Sequence, residues 1–307
     1  KLWGDVFVSF NYAANRYSLD LKVKGEQNYL IARGFYIPTP SSFDVNVDLN
    51  EFNIRLLEPL SFGQLKNAKG FLNGSMHLSG NMEAPTLRGT LNFKDVSFLS
   101  TYVNNSFTLK NERISFEEKG IVFPDFKLVD LNNNVATIKG TILTKTYKDF
   151  DFDLKVVSRN FQLLNTKIGD NSLYYGNVRL NTDAHITGNM NQPKVDIAAT
   201  LSDGSQVTYV IPIAQKNALE QKGIVQFVSK KENIDPFLVN LNLGDTVKSL
   251  FRGMDVDATL ELTDKSILNI IIDPLTGDQL SLKGNSTLVL NTEASGGIHL
   301  SGRYEIS

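Results

Sequence analysis

The 307-residue chain has no cysteine, a single tryptophan and only three histidines. Without cysteine there is no disulfide framework, no thiolate zinc site and no cysteine nucleophile. Such a composition suits an oxidising compartment, although a reducing one tolerates it equally. No run of about 18 apolar residues could span a bilayer as a helix, and no signal-peptide pattern opens the chain. The chain starts at Lys1 and at once enters a strand-like pattern, Val6, Val8, Phe10. It therefore reads as an excised piece of a longer protein, with any anchor outside it. Net charge is −2 with both signs scattered, so no basic footprint for nucleic acid is present. Phosphate-cradling loops, dinucleotide fingerprints and nucleophile elbows are missing too. No enzyme and no cofactor are expected.

What is present is period-2 alternation, which sends one set of side chains to each face of a strand. Tyr17, Leu19, Leu21 and Val23 alternate with Ser18, Asp20, Lys22 and Lys24, and Phe43, Val45, Val47 and Leu49 with Asp44, Asn46, Asp48 and Asn50. The pattern recurs at Phe150, Phe152, Leu154 and Val156, and again from Met254 through Val256, Ala258 and Leu260 to Leu262. These are strands with one apolar and one wet face, as in antiparallel meanders. Short helices are expected only at 54–65 and 214–221, with a single turn at 246–251. Hairpin-type turns are expected at Asp203-Gly204, 273–278 and 295–297.

An internal repeat is superimposed on this pattern. The stretch from His77 to Leu87 recurs from His185 to Val195, sharing Gly80 and Gly188, Asn81 and Asn189, Met82 and Met190, and Pro85 and Pro193. A shorter echo runs His299, Leu300, Ser301, Gly302. Glycine supplies a positive φ, and proline cannot donate to a ladder, so each copy reads as strand, tight turn, next strand. Stacked units of this kind build quasi-linear structures.

The histidines occupy equivalent repeat positions, where extended strands hold them apart, so they read as structural and no metal site is expected. Asp149, Asp151 and Asp153, like Asp255 and Asp257, face away from strongly apolar neighbours and read as a solvated outer face. The aromatics Phe93, Phe98, Phe107, Phe116, Phe123, Phe126, Phe150 and Phe152 fit either a closed core or the wall of an open trough, since both need one apolar face.

Several stretches resemble the TamB family and its AsmA-related kin, in the form found in bacteroidete-type bacteria. They are Ser75–Leu91 with Gly80, Pro85, Leu87 and Gly89; Val122 to Ala136 with Asp130 and Asn134, followed by Gly140; Asp149–Leu154 followed by Asn160-Phe161 and Leu164-Asn165; and Asp273–Asp278 to Gly284, ending Gly302–Ile306. The resemblance implies an all-β fold: an elongated, curled, taco-like or β-helix-like sheet, mostly antiparallel, with an apolar concave groove and a few short helices. It also implies one continuous groove over 1–307, with sub-units 1–69, 70–175, 176–250 and 251–307, the last opening the family's carboxy-terminal domain. Such proteins are anchored in the inner membrane of Gram-negative bacteria and cross the periplasm. They are implicated in phospholipid transport and, with a BamA-like (TamA-like) outer-membrane partner, in outer-membrane protein assembly. The partner's docking segment would lie beyond this chain. On that reading phospholipid acyl chains meet a wall of Phe150, Phe152, Leu154, Val156, Val178, Leu180, Met254, Val256, Leu260, Leu288 and Leu290. The repeat turns are Gly80, Pro85, Gly188, Pro193 and Gly302. The alternatives are a structural or adhesive β-solenoid with a closed core, an outer-membrane barrel, and a polysaccharide-acting β-helix.

Overall fold

The computed structural model describes residues 4–26, 28–211, 254–274, 276–292 and 298–304. Strands make up 74% of it and helix 3%, in one large, curled, unclosed sheet. The first half is a meander: β1 (Asp5–Ala13), β2 (Arg16–Gly25), β3 (Asn28–Ile37), β4 (Ser42–Asn53), β5 (Leu65–Gly80), β6 (Pro85–Ser100), β7 (Asn105–Glu117), β8 (Gly120–Val129), β9 (Val135–Leu143), β10 (Asp151–Thr166) and β11 (Tyr174–Asn189). Each pairs antiparallel with the next.

Beyond β11 the strands divide at their middles. β12 (Gln192–Leu201) and β13 (Gln206–Val210) both pair with β11, on its two halves. β14 (Asp255–Leu262) and β15 (Ile267–Asp273) then lie parallel to β12 and β13. β16 (Asp278–Lys283) and β17 (Ser286–Thr292) run back antiparallel to β15 and β14, and β18 (Ile298–Tyr304) pairs with β17. The Asp203-Gly204 turn is therefore not a hairpin. It joins two collinear strands that share one neighbour, so the chain bends there without reversing. By contrast 273–278 does close a hairpin, β15–β16. The turn expected at 295–297 and the helical stretches expected at 214–221 and 246–251 lie outside the described residues.

The sheet bends because β4, β6, β8 and β10 carry extra residues, and β5 carries one more between Lys66 and Lys69. β4 advances three residues from Leu49 to Phe52 while β5 advances two, and β10 does the same from Ser158 to Phe161 against β11. β6 is bulged at Asp95 opposite Gly70, and β8 between Phe123 and Phe126. A bulge kinks its strand and strengthens the local twist. Lined up on neighbouring strands, these bulges crease the whole sheet lengthwise. Those on β4, β6 and β10 hold a non-glycine residue at positive φ: Glu51, Asp95 and Asn160. At Gly70 (φ 97°) an added Cβ would lie 2.4 Å from the Asp95 carbonyl oxygen, so only glycine lets the backbones approach there.

Two apolar clusters fill the crease. The first joins Phe52, Leu72 and Phe126 to Val96 and Leu109 from the other side of the fold, capped by Ile54 and Leu56. Those two belong to a 3-10 helix, Ile54–Ser61, the only helix among the described residues. It starts where the Asn53 side chain accepts the Arg55 N–H and stops at Phe62, which turns left-handed (φ 52°). The second cluster joins Leu201, Leu262 and Leu288 to Leu164, Val178 and Leu268. Between them Phe107 of β7 stacks on Phe161 of β10, ring centroids 5.5 Å apart, where the short β8–β9 hairpin ends.

Candidate functional site: the apolar face of a creased sheet

Directly paired residues in a ladder share a face, so the register shows what the concave side presents. One rank crosses the meander without a charge: Val8, Leu21, Ala32, Val47, Met76, Gly89, Phe116, Ile121, Ile142, Phe152, Gly188, Pro193. A second continues it into the later strands: Phe123, Gly140, Leu154, Ile186, Val195, Val256, Thr292. A neighbouring rank on the other face reads Lys155, His185, Asp196, Asp257, Asn291. Sequence alternation and sheet register together produce one apolar and one polar surface.

The wall residues expected from sequence lie on these ranks or beside them. Leu154, Val178, Val256 and Leu288 are buried, with Val256 only 2% exposed. Phe150, Phe152, Val156, Leu180, Met254, Leu260 and Leu290 are half-buried. Phe152, Leu154 and Val156 share β10; Val256 and Leu260 share β14; Leu288 and Leu290 share β17. Phe150 and Met254 just precede their strands, where the Phe150 carbonyl accepts the Met190 N–H and the Met254 carbonyl accepts the Thr292 hydroxyl. Val178 pairs with Leu164 beyond the crease.

The repeat turns fall on one rim. Asn81 Oδ1 accepts the N–H groups of Glu83 and Ala84, and Asn189 Oδ1 those of Asn191 and Gln192. Pro85 pairs with Gly80 and Pro193 with Gly188, so Pro85 opens its returning strand and Pro193 is the second residue of its own. Gly302 is different. It lies within β18 opposite Leu288, because the third echo lacks the Asn and Pro that would turn the chain. On the polar face the repeat is equally regular: His77 meets Asp44 at 3.1 Å, and His185 meets Asp153 at 3.0 Å. Asp257 accepts from the Asn291 amide, and His299 lies opposite Asn291 on β18.

Side-chain knots that local alternation does not reveal hold the trough in shape. Asp130 is buried and accepts four hydrogen bonds, from the N–H groups of Asn132, Asn134 and Gln162 and from the Asn134 amide. It thereby ties the β8–β9 turn to the bulged part of β10. The Tyr147 hydroxyl reaches from the β9–β10 turn to the Leu87 carbonyl, and burial raises its pKa. Burial also raises those of Tyr174 and Tyr209. At the crease Lys265 and Asp203 pair at 3.0 Å; the hydrogen bond lowers the carboxyl's pKa and raises the ammonium's. A cavity of about 580 Å³ lies off the apolar ranks, between the 3-10 helix and β5, lined by Asn53, Arg55, Glu58 and Lys69 among others.

The site is thus a long surface rather than a pocket, and it defines the chain as an elongated, creased β-sheet protein with one apolar face. Residues 124–307, more than half of the chain, match the family model of the TamB C-terminal domain. The chain belongs to the TamB family. No curated protein and no solved structure matches it. The family is a transport and assembly module of the bacterial envelope, with roles in outer-membrane protein assembly or lipid transport alongside an outer-membrane partner. Among the described residues no helix is long and apolar enough to cross a membrane.

The wall expected from sequence runs from Phe150 to Leu290. The same face continues through Val8, Leu21, Val47 and Met76, all visible as alternation in β1–β5. The bulges also leave a trace, a parity slip from Val45, Val47, Leu49 to Phe52, and from Leu91, Phe93 to Val96, Phe98.

Proposed function

We propose that the apolar face is a track for phospholipid acyl chains crossing the periplasm, in a protein anchored at the inner membrane and working with a BamA-like outer-membrane partner. The chain acts by presenting a surface and not by catalysis. The observation that carries this reading is the unbroken apolar rank from Val8 on β1 to Pro193 on β12. Across the strands of that wall, at about 4.8 Å per spacing, it extends roughly 50 Å. Each acyl methylene kept from water contributes about 0.8 kcal/mol. An uninterrupted apolar path is what a two-chain lipid needs, whereas a single charge on the path would raise a barrier. The sub-units 1–69, 70–175, 176–250 and 251–307 would then be successive lengths of one track.

Photo-reactive residues at Phe152 and Val256 test this reading. Phospholipid should be captured in cells from both positions and not from Asp153 or Asp257 on the opposite face. Equal capture from the two faces, or none from either, overturns it. The closed-core alternative draws on the two walls meeting at the crease, where Leu201 and Val96 are buried. Lipid-free purified protein, with Phe152 and Val156 shielded from solvent probes, would favour that alternative.

A further inference from the structure

On β2 and β3 the concave face changes its chemistry from rim to crease. Read along β2 it presents Tyr17, Leu19, Leu21 and Val23; on β3, Tyr36 lies opposite Tyr17 and Leu30 opposite Val23. Of these ranks only the one at the rim carries a polar side-chain atom. Tyr17 is 41% and Tyr36 38% exposed, whereas Val23 is 4% exposed and Leu30 packs against the first apolar cluster. Both strands are inner ones with a paired neighbour on each side, so the gradient belongs to the body of the sheet.

The rim rank is an aromatic lip. The Tyr17 and Tyr36 rings stack with centroids 6.5 Å apart, and Tyr12 leans on Tyr17 at 4.6 Å. The Tyr36 hydroxyl is 3.4 Å from Ser41 Oγ, and that of Tyr17 makes no hydrogen bond among the described residues. A side chain with an apolar ring and a polar tip suits the boundary between hydrocarbon and water. The charges nearby lie on the opposite face: Asp44 with His77, Asp20 with Arg33, and Arg16 over the Phe35 ring.

On the reading of this face as a lipid track, we infer that a zwitterionic phospholipid lies here along the strands, its headgroup at the Tyr17–Tyr36 lip and its acyl ends at Val23 and Leu30. From Tyr17 to Val23 the strand rises roughly 20 Å, and one leaflet of hydrocarbon is about 15 Å thick. A lipid whose headgroup sits at the lip therefore brings its chain ends to the crease. A lipid lying across the strands would set its phosphate on aliphatic side chains. At the lip, phenol O–H groups donate to the phosphate, and the aromatic rings attract the headgroup's own ammonium. No lysine or arginine on this face of β2 and β3 answers the net negative charge of an anionic headgroup.

Two phosphatidylcholine probes test this, one with a photo-reactive group in the headgroup and one with it at the end of an acyl chain. After illumination the headgroup probe should mark peptides around Tyr17, Tyr36 and Ser41, and the tail probe those around Val23, Leu30 and Leu49. Tyr17→Phe combined with Tyr36→Phe keeps both rings. It should cut headgroup marking at the lip roughly tenfold with an unchanged circular dichroism spectrum. Vesicles of unlabelled phosphatidylcholine should compete severalfold better than vesicles of phosphatidylglycerol. Reversed or scrambled marking, a lip indifferent to the phenylalanine pair, or equal or stronger competition by phosphatidylglycerol each overturns the inference and leaves the track standing, since lipid is still captured. No marking by either probe overturns both.

Discussion

The Asn181 side-chain oxygen accepts the main-chain N–H of Asn160 at 2.8 Å, and Asn73 does the same for Glu51 at 2.7 Å. In each case the donor is a bulge residue at positive φ, and the acceptor is the middle residue of the facing strand. An extra residue leaves an N–H that the ladder cannot pair, and the asparagine takes it. The crease thus has its own side-chain chemistry, used twice, on strands far apart in sequence.

Asn181→Ala and Asn73→Ala should each lower stability by about 1 kcal/mol, the usual worth of a partly exposed hydrogen bond. The sites are several strands apart, so the double variant should be close to additive. Urea denaturation of the three variants checks this.

Asp130→Ala should be more costly. It removes the acceptor of three main-chain N–H groups at a buried position, and unmet buried donors cost about 1–3 kcal/mol each. A loss of about 3 kcal/mol or more is expected. Hydrogen exchange should localise it to 130–134 and to Gln162, where faster exchange would mark the β8–β9 turn parting from β10.

Val256→Asp and Asp257→Val alter adjacent residues on opposite faces of β14. The first places an unpaired charge on the apolar rank, a strongly unfavourable burial; the second removes a solvated one. Envelope-integrity assays in cells should fail for Val256→Asp and be nearly normal for Asp257→Val. Milder Phe152→Asp, at a half-buried position, should separate a blocked track from a misfolded chain.

The Asp203–Lys265 pair predicts a modest pH dependence. The carboxyl's folded pKa is lowered, so its contribution is present above the unfolded value and is lost as pH falls through the lowered one. The ammonium's folded pKa is raised, so its share is present below the unfolded value and lost as pH rises through the raised one. Asp203→Asn should flatten both limbs of a stability–pH curve. The pair is fully exposed and screened, so added salt should shrink the difference.

Much of this fold is legible as alternation. Tyr17 to Val23 and Phe43 to Leu49 mark their strands and their apolar faces, and the His77 and His185 copies mark two turns of one rim. The division of later strands at 202–205 and 263–266 is not legible from Asp203-Gly204, because a glycine turn looks alike whether the chain reverses or merely bends. What decides is long-range pairing: both β12 and β13 find β11. Asp130 is likewise visible as a turn residue, but its bond to Gln162 comes from distant β10.

The constancy of register along the concave side has a mechanical consequence. From Val8 to Pro193 each successive strand presents an apolar or small residue at the same height above the crease. A guest lying against this wall would meet much the same surface after every shift of one strand spacing. Its energy would ripple gently along the axis without a deep minimum, so the surface would hold a guest loosely at every point and detain it at none.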